Sequence, residues 1–139
     1  MLEFFPNSTH LLAIRGEQYR LSGDHERALV DLGRIIELKP KDTWAIANRG
    51  AIYRQMGRYE EALTDLNRAI ELKPKYTWAI ANRGAIYHQM EHYEEALADL
   101  NRAIKLSPKY TWAIANRGET YRQMERYEEA LADLNRAIE

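Results

Sequence analysis

Cysteine is absent from the 139 residues. Its absence removes disulfides, thiolate nucleophiles, Cys-ligated zinc and iron-sulfur clusters at once, and makes a cytoplasmic address the expectation. Charge of one sign is missing as well. Twenty Lys plus Arg against 21 Asp plus Glu leave a formal charge of -1, so no global field draws the chain onto nucleic acid or an anionic membrane. No apolar run approaches the roughly 18 residues of a membrane span, and the first ten residues lack the basic and apolar regions of a secretion signal. What is there, 45% hydrophobic and 29% charged residues, is the composition of one folded domain.

Proline is scarce and regular. Pro6, Pro40, Pro74 and Pro108 are 34 residues apart, and Trp44, Trp78 and Trp112 keep the same interval. A repeat of that period is read before anything else. Residues 43–76 and 77–110 differ at six positions, Arg54/His88, Gly57/Glu91, Arg58/His92, Thr64/Ala98, Glu71/Lys105 and Lys73/Ser107. Residues 9–42 are a diverged copy, 111–139 a shortened one, and 1–8 resemble the end of a preceding one. Beginning and ending inside a unit makes a piece of a longer array, or of a larger protein, the expectation.

Each unit reads as two helices. In the second copy Thr43 is the expected N-cap of a helix over about 44–56, which Gly57 ends, and a second helix over about 59–72 is closed by Pro74. The first is apolar on two faces, Ile46, Gly50 and Tyr53 on one and Ala45, Ile52 and Met56 on the other, and is therefore sandwiched. The second has one stripe, Tyr59, Ala62, Leu63, Leu66, Ala69 and Ile70, and forms an outer layer. Gly50 and Ala62 are expected where the two helices approach closely.

Gly50, Tyr53, Ala62, Ala69 and Pro74, with Gly84, Tyr87, Ala96, Ala103 and Pro108 one unit on, resemble the tetratricopeptide repeat at its signature offsets. Ile46, Arg49 and Leu66 depart from it where the family often has Trp, Leu and Phe. The resemblance implies an all-α solenoid of antiparallel helix pairs in a right-handed superhelix, with the first helices lining a concave groove and a role as a protein-interaction scaffold. Family modules that grip chaperone C-termini carry groove lysines. Ala47 and Ala81 stand where those lysines are expected, so chaperone binding is not predicted.

Groove candidates are Trp44, Asn48 and Arg54 in one unit, Trp78, Asn82 and His88 in the next, and Trp112, Asn116 and Arg122 in the third. Trp suits an apolar anchor, Asn an extended peptide backbone and Arg a carboxylate, which together favour a protein or peptide partner that is acidic or carboxylate-ended. The alternative is that each Trp merely packs against its neighbours, beside Tyr76 or Tyr110.

Arg15, Arg49, Arg83 and Arg117 recur with Asp31, Asp65, Asp99 and Asp133. Read as anion-binding they would be an RNA track; read as structural they are a ladder of ion pairs, and the joint recurrence favours the ladder. The ladder reading also makes loss of Asp99 costlier than loss of Arg83, through a stranded cation. His88 and His92 are four apart, a metal-binding spacing on a helix, yet Arg54 with Arg58 and Arg122 with Arg126 occupy those positions elsewhere, so no metal is expected. Neither is a cofactor. The serines, Ser8, Ser22 and Ser107, have no His in register, and pairs such as Glu60 and Glu61 begin second helices, where the helix dipole favours acid; catalysis is not expected.

Two readings follow: a non-enzymatic scaffold binding a peptide in the groove, or a self-stacking array without a dedicated ligand. Lining residues that repeat from unit to unit favour the second. At the chain ends, Leu2, Phe4 and Phe5 and then Tyr121, Tyr127, Ala130, Leu134 and Ile138 are expected to lack cover, making self-association through terminal units an expectation.

Overall fold

The computed structural model describes residues 8–139; the expectation for Leu2, Phe4 and Phe5 lies outside the described residues. Eight helices and no strand occur among them: α1 (Thr9–Leu21), α2 (His25–Leu38), α3 (Thr43–Gln55), α4 (Tyr59–Leu72), α5 (Thr77–Gln89), α6 (Tyr93–Leu106), α7 (Thr111–Gln123) and α8 (Tyr127–Ile138). They form antiparallel pairs, α1 with α2, α3 with α4, α5 with α6 and α7 with α8. The chain divides into two compact units, Met1–Pro74 and Lys75–Glu139.

In the first unit α2 also packs against α3. Leu12, Ala28, Leu32, Ile35, Ala45 and Ile52 form its sealed core, with Tyr19 and Met56 at the margin. The second unit repeats the scheme through α6 and α7, around Ile80, Ile86, Leu100 and Ile114. First helices are buried on nearly every side in α3 and α5, whereas second helices bury one stripe. A helix with apolar residues on two faces must have cover on both, which is the layering the sequence pattern requires.

Helix starts differ from expectation. Asp42, not Thr43, is the N-cap of α3: its carboxylate accepts from the Ala45 N–H at 3.1 Å, and Thr43 is already helical. Ser8 and Asp24 cap α1 and α2 in the same way. From α4 onward no cap side chain makes this bond.

First helices end in a left-handed residue, Gly23 and Gly57 in two copies and Glu91 and Glu125, at φ 63° and 61°, in the others. The turn persists without glycine because the same bond closes it, Arg58 N–H to Tyr53 C=O at 2.8 Å and His92 N–H to Tyr87 C=O at 2.8 Å. Gly50 is a close-approach residue, where a Cβ would meet Leu66 Cγ at 3.0 Å and Asp65 Cβ at 3.2 Å, and Ala62 on α4 is fully buried.

At the last helix, Tyr127 and Ile138 are open as expected, and Leu131 joins them. Ala130 corrects the expectation: it is sealed, because its face turns inward to α7, while Tyr121 and Leu134 are half-buried. Among the described residues no helix is long and apolar enough to cross a membrane.

Candidate functional site

The recurring Arg and Asp residues meet inside each helix pair. Arg15 Nε and Nη2 donate to Asp31 at 2.9 and 2.7 Å, Arg49 to Asp65 at 2.8 and 2.8 Å, Arg83 to Asp99 at 2.7 and 2.7 Å, and Arg117 to Asp133 at 2.7 and 2.6 Å. The carboxylates are buried and the guanidinium groups partly so. Hydrogen bonding to the carboxylate, ahead of the opposing effect of burial, raises the Arg49, Arg83 and Arg117 pKa values. The ladder is therefore internal scaffolding, which explains Arg49 at a position where an apolar residue is usual in the resembled family.

In three copies the tyrosine that follows the ladder arginine by four residues takes a second arginine. Tyr19 lies under both Arg15 and Arg27, and Tyr121 under Arg117 and Arg126; Tyr53 carries Arg58 at 4.8 Å. In the third copy His92 stacks on Tyr87 with ring centroids 6.2 Å apart. His88 and His92 thus do not share a helical face: His88 is in the last turn of α5, and His92 is the N-cap of α6 beyond the turn. Among the described residues no group of three or more His, Asp or Glu stands together as a metal site would require.

Two of the three tryptophans are open to solvent. Trp44 is 38% exposed and Trp112 36%; Trp78 is half-buried. Tyr76 and Tyr110 lie beside Trp78 and Trp112, each pair with centroids 6.1 Å apart. Packing and exposure coexist at Trp112, whose ring lies beside Tyr110 while the residue stays open to solvent.

The asparagines behave otherwise. Asn48, Asn82 and Asn116 each donate Nδ2 to the carbonyl of the Trp one turn earlier, at 2.8, 2.9 and 2.8 Å. Asn82 is only 2% exposed and Asn48 is also buried, which leaves Asn116 as the accessible amide.

Of the cations, Arg122 is exposed but gripped by Glu119, whose own pKa the bond to Arg122 lowers. Arg54 is half-buried. His88 is turned to α7, where Nδ1 stands 2.9 Å from Thr120 Oγ1. The Thr120 hydroxyl donates its one proton to the Asn116 carbonyl at 2.8 Å, so His88 Nδ1–H is the donor in that contact.

In the first unit the structure reveals a depression of about 370 Å³ between α1 and α3, lined by His10, Ala13, Ile14, Glu17, Gln18 and Trp44. Ile14 is exposed, and Glu17 is held by Arg20 at 2.5 Å, the bond lowering the Glu17 pKa. These α1 residues escaped the sequence reading, which followed the near-identical copies. The signal was the register: His10, Ile14 and Glu17 fall at the positions of Trp44, Asn48 and Ala51.

No curated protein matches the chain by sequence. Among solved structures, a crystal structure of MamA matches with a TM-score of 0.87 at 23% identity, covering 99% of this chain and 80% of the other. The first TPR of Spaghetti (RPAP3) bound to the HSP90 peptide SRMEEVD gives 0.80 at 24%, over 84% and 93%. YrrB, a TPR protein with an unusual peptide-binding site, gives 0.80 at 23%, over 99% and 71%. At such identities the likeness is one of fold, the α-solenoid of antiparallel helix pairs. Family models match directly: TPR repeat over residues 50–91, and tetratricopeptide repeat over 78–110 and again over 113–139. With period, helix pairing and these matches in agreement, the chain belongs to the tetratricopeptide repeat family.

Proposed function

We propose that this chain is a non-enzymatic protein-interaction scaffold that takes a peptide on the faces of its first helices. The observation that carries the reading is a pair of large, partly open indoles, Trp44 beside a depression in the first unit and Trp112 in the second. A large, partly exposed tryptophan offers an apolar surface with a polar N–H, the property of an interface anchor, and Trp112 is in addition already packed beside Tyr110. In the second unit Arg122 and Asn116 supply polar contacts; an incoming carboxylate replaces Glu119 on Arg122, which favours an acidic or carboxylate-ended peptide. Asn48 and Asn82, being buried, act through the helix instead, fixing the turn that presents Trp44 and Trp78.

Two structurally similar proteins are described with peptides or a peptide-binding site. The HSP90 peptide of one of them does not carry over to this chain: Ala47 and Ala81, where lysines were expected, are fully buried, so that position offers no cation and has no room for one.

The test is a binding titration of the intact chain against a set of acidic-ended, basic and apolar peptides. Trp44→Ala and Trp112→Ala should each weaken the best binder about tenfold or more with helicity unchanged. Binding that is indifferent to both substitutions, or a preference for basic peptides, overturns the reading.

A further inference from the structure

Lysine is confined to one kind of place. Lys39 and Lys41 flank Pro40, Lys73 and Lys75 flank Pro74, and Lys105 and Lys109 bracket Pro108, so all six lysines lie where a second helix hands over to the next first helix. All six are exposed. Because that holds in each of the three handovers, it does not depend on what precedes or follows the chain. Arginine is placed differently. Among the described residues eleven arginines make ion pairs with Asp or Glu, whereas Lys39, Lys41, Lys75, Lys105 and Lys109 make none.

Local stability accounts for half of the six. Lys39 and Lys73 are the C-caps of α2 and α4, and Lys105 is in the last turn of α6, where the helix dipole favours a cation. Lys41, Lys75 and Lys109 stand on the other side of the loop, immediately before the N-cap residues Asp42, Tyr76 and Tyr110 of α3, α5 and α7. There the dipole is positive and opposes a cation, and only α3 has an acidic cap to offset it. A cation held at an electrostatically unfavourable position in three copies answers to something outside the helix.

Within each compact unit the charge is segregated. In the second, antiparallel pairing puts Lys75, Lys105 and Lys109 at one end of the helices, where Glu139 is the one acid among the described residues. Glu91, Glu94, Glu95, Glu125, Glu128 and Glu129, all exposed, are at the other end. In the first unit the acids near Lys39 and Lys41 are engaged: Glu37 with Arg34, Glu71 with Arg68, and Asp42 as the cap of α3. The near-zero net charge thus hides a basic rim on each unit.

We infer that this lysine rim is a second docking surface, distinct from the first-helix faces, for an extended acidic segment of a partner protein. A flexible acidic chain follows cations from loop to loop, whereas a bilayer surface requires them in one plane. A phosphate backbone is gripped best by the forked guanidinium that lysine lacks. Contacts between exposed charges are individually weak and screened by salt, so the complex rests on several lysines at once and loosens as ionic strength rises.

Fluorescence anisotropy of a labelled, C-terminally amidated oligoglutamate, titrated with the intact chain at low salt, tests this. Amidation removes the terminal carboxylate that a groove arginine would take. The wild type should bind. Lys41→Gln with Lys75→Gln and Lys109→Gln should weaken binding about tenfold without lowering the melting temperature, since each loses a cation that the helix dipole opposes. Trp44→Ala with Trp112→Ala should leave it unchanged, which separates the rim from the groove. A wild type that ignores oligoglutamate overturns the inference, as does binding that is indifferent to the lysine substitutions or lost in the tryptophan variant. Tighter binding of phosphatidylserine vesicles or poly(U) RNA at equal concentration of charge, lost in the lysine variant, overturns it too, by assigning the rim to a membrane or to nucleic acid.

Discussion

Arg83 holds Asp99 through two parallel hydrogen bonds of 2.7 Å, and the acid is the more deeply buried partner, with 8% of its side chain exposed against 21% for the arginine. This reverses the expected ranking of the two losses. Removing Asp99 leaves a long side chain that swings its charge to water, whereas removing Arg83 strands a carboxylate that has nowhere to go. Arg83→Leu should therefore destabilise by about 3 kcal/mol, and Asp99→Leu by about 1–2 kcal/mol. Paired denaturant melts check the order.

Glycines of the first helices are not equivalent to the one in α2. A Cβ on Gly84 would meet Leu100 Cγ at 2.9 Å and Asp99 Cβ at 3.2 Å, while one on Gly33 meets nothing within 4 Å. Gly84→Ala should cost about 1–3 kcal/mol by forcing α5 from α6. Gly33→Ala should instead stabilise by about 0.5–1 kcal/mol through helix propensity. Thermal denaturation of the two variants gives opposite shifts if the packing is as described.

Glu91 and Glu125 sit at positive φ, where two other copies have Gly57 and Gly23. Glu91→Gly and Glu125→Gly relieve a left-handed strain of about 1–2 kcal/mol each, offset in part by glycine's greater freedom when unfolded. A modest net gain in melting temperature is expected for each. A drop in both would show that the turn does not carry that strain.

His88 makes stability depend on pH. Burial, the largest cause, pushes its pKa down; the Glu119 carboxylate opposes this and the Arg122 guanidinium adds to it. The folded chain then binds fewer protons than the unfolded one between the lowered value and the ordinary value of about 6.5. Stability from this residue is complete above about pH 6.5 and falls as pH drops through that window. Denaturant titrations should lose this slope in His88→Gln, which keeps a donor for Thr120; an unchanged slope would place the titration elsewhere.

The sequence by itself determined the period, the two helices per unit, their inner and outer roles and the pairing of Arg15, Arg49, Arg83 and Arg117 with their aspartates. Those follow from local geometry: 3.6 residues per turn decides which side chains share a face, and a 34-residue interval copies the answer. Depth was decided only by the tertiary structure. Asn48 and Asn82 share the face that the pattern assigned them, yet neighbouring side chains seal them while Asn116 stays accessible. Leu97 and Leu131 stand in identical local sequences and end at opposite burial, because α7 packs on α6 and no helix among the described residues packs on that face of α8. The stranded-charge order of Arg83 and Asp99 turns on the same fact: how far a side chain reaches water depends on which helix crosses it, and that is a non-local quantity that no spacing along the chain encodes.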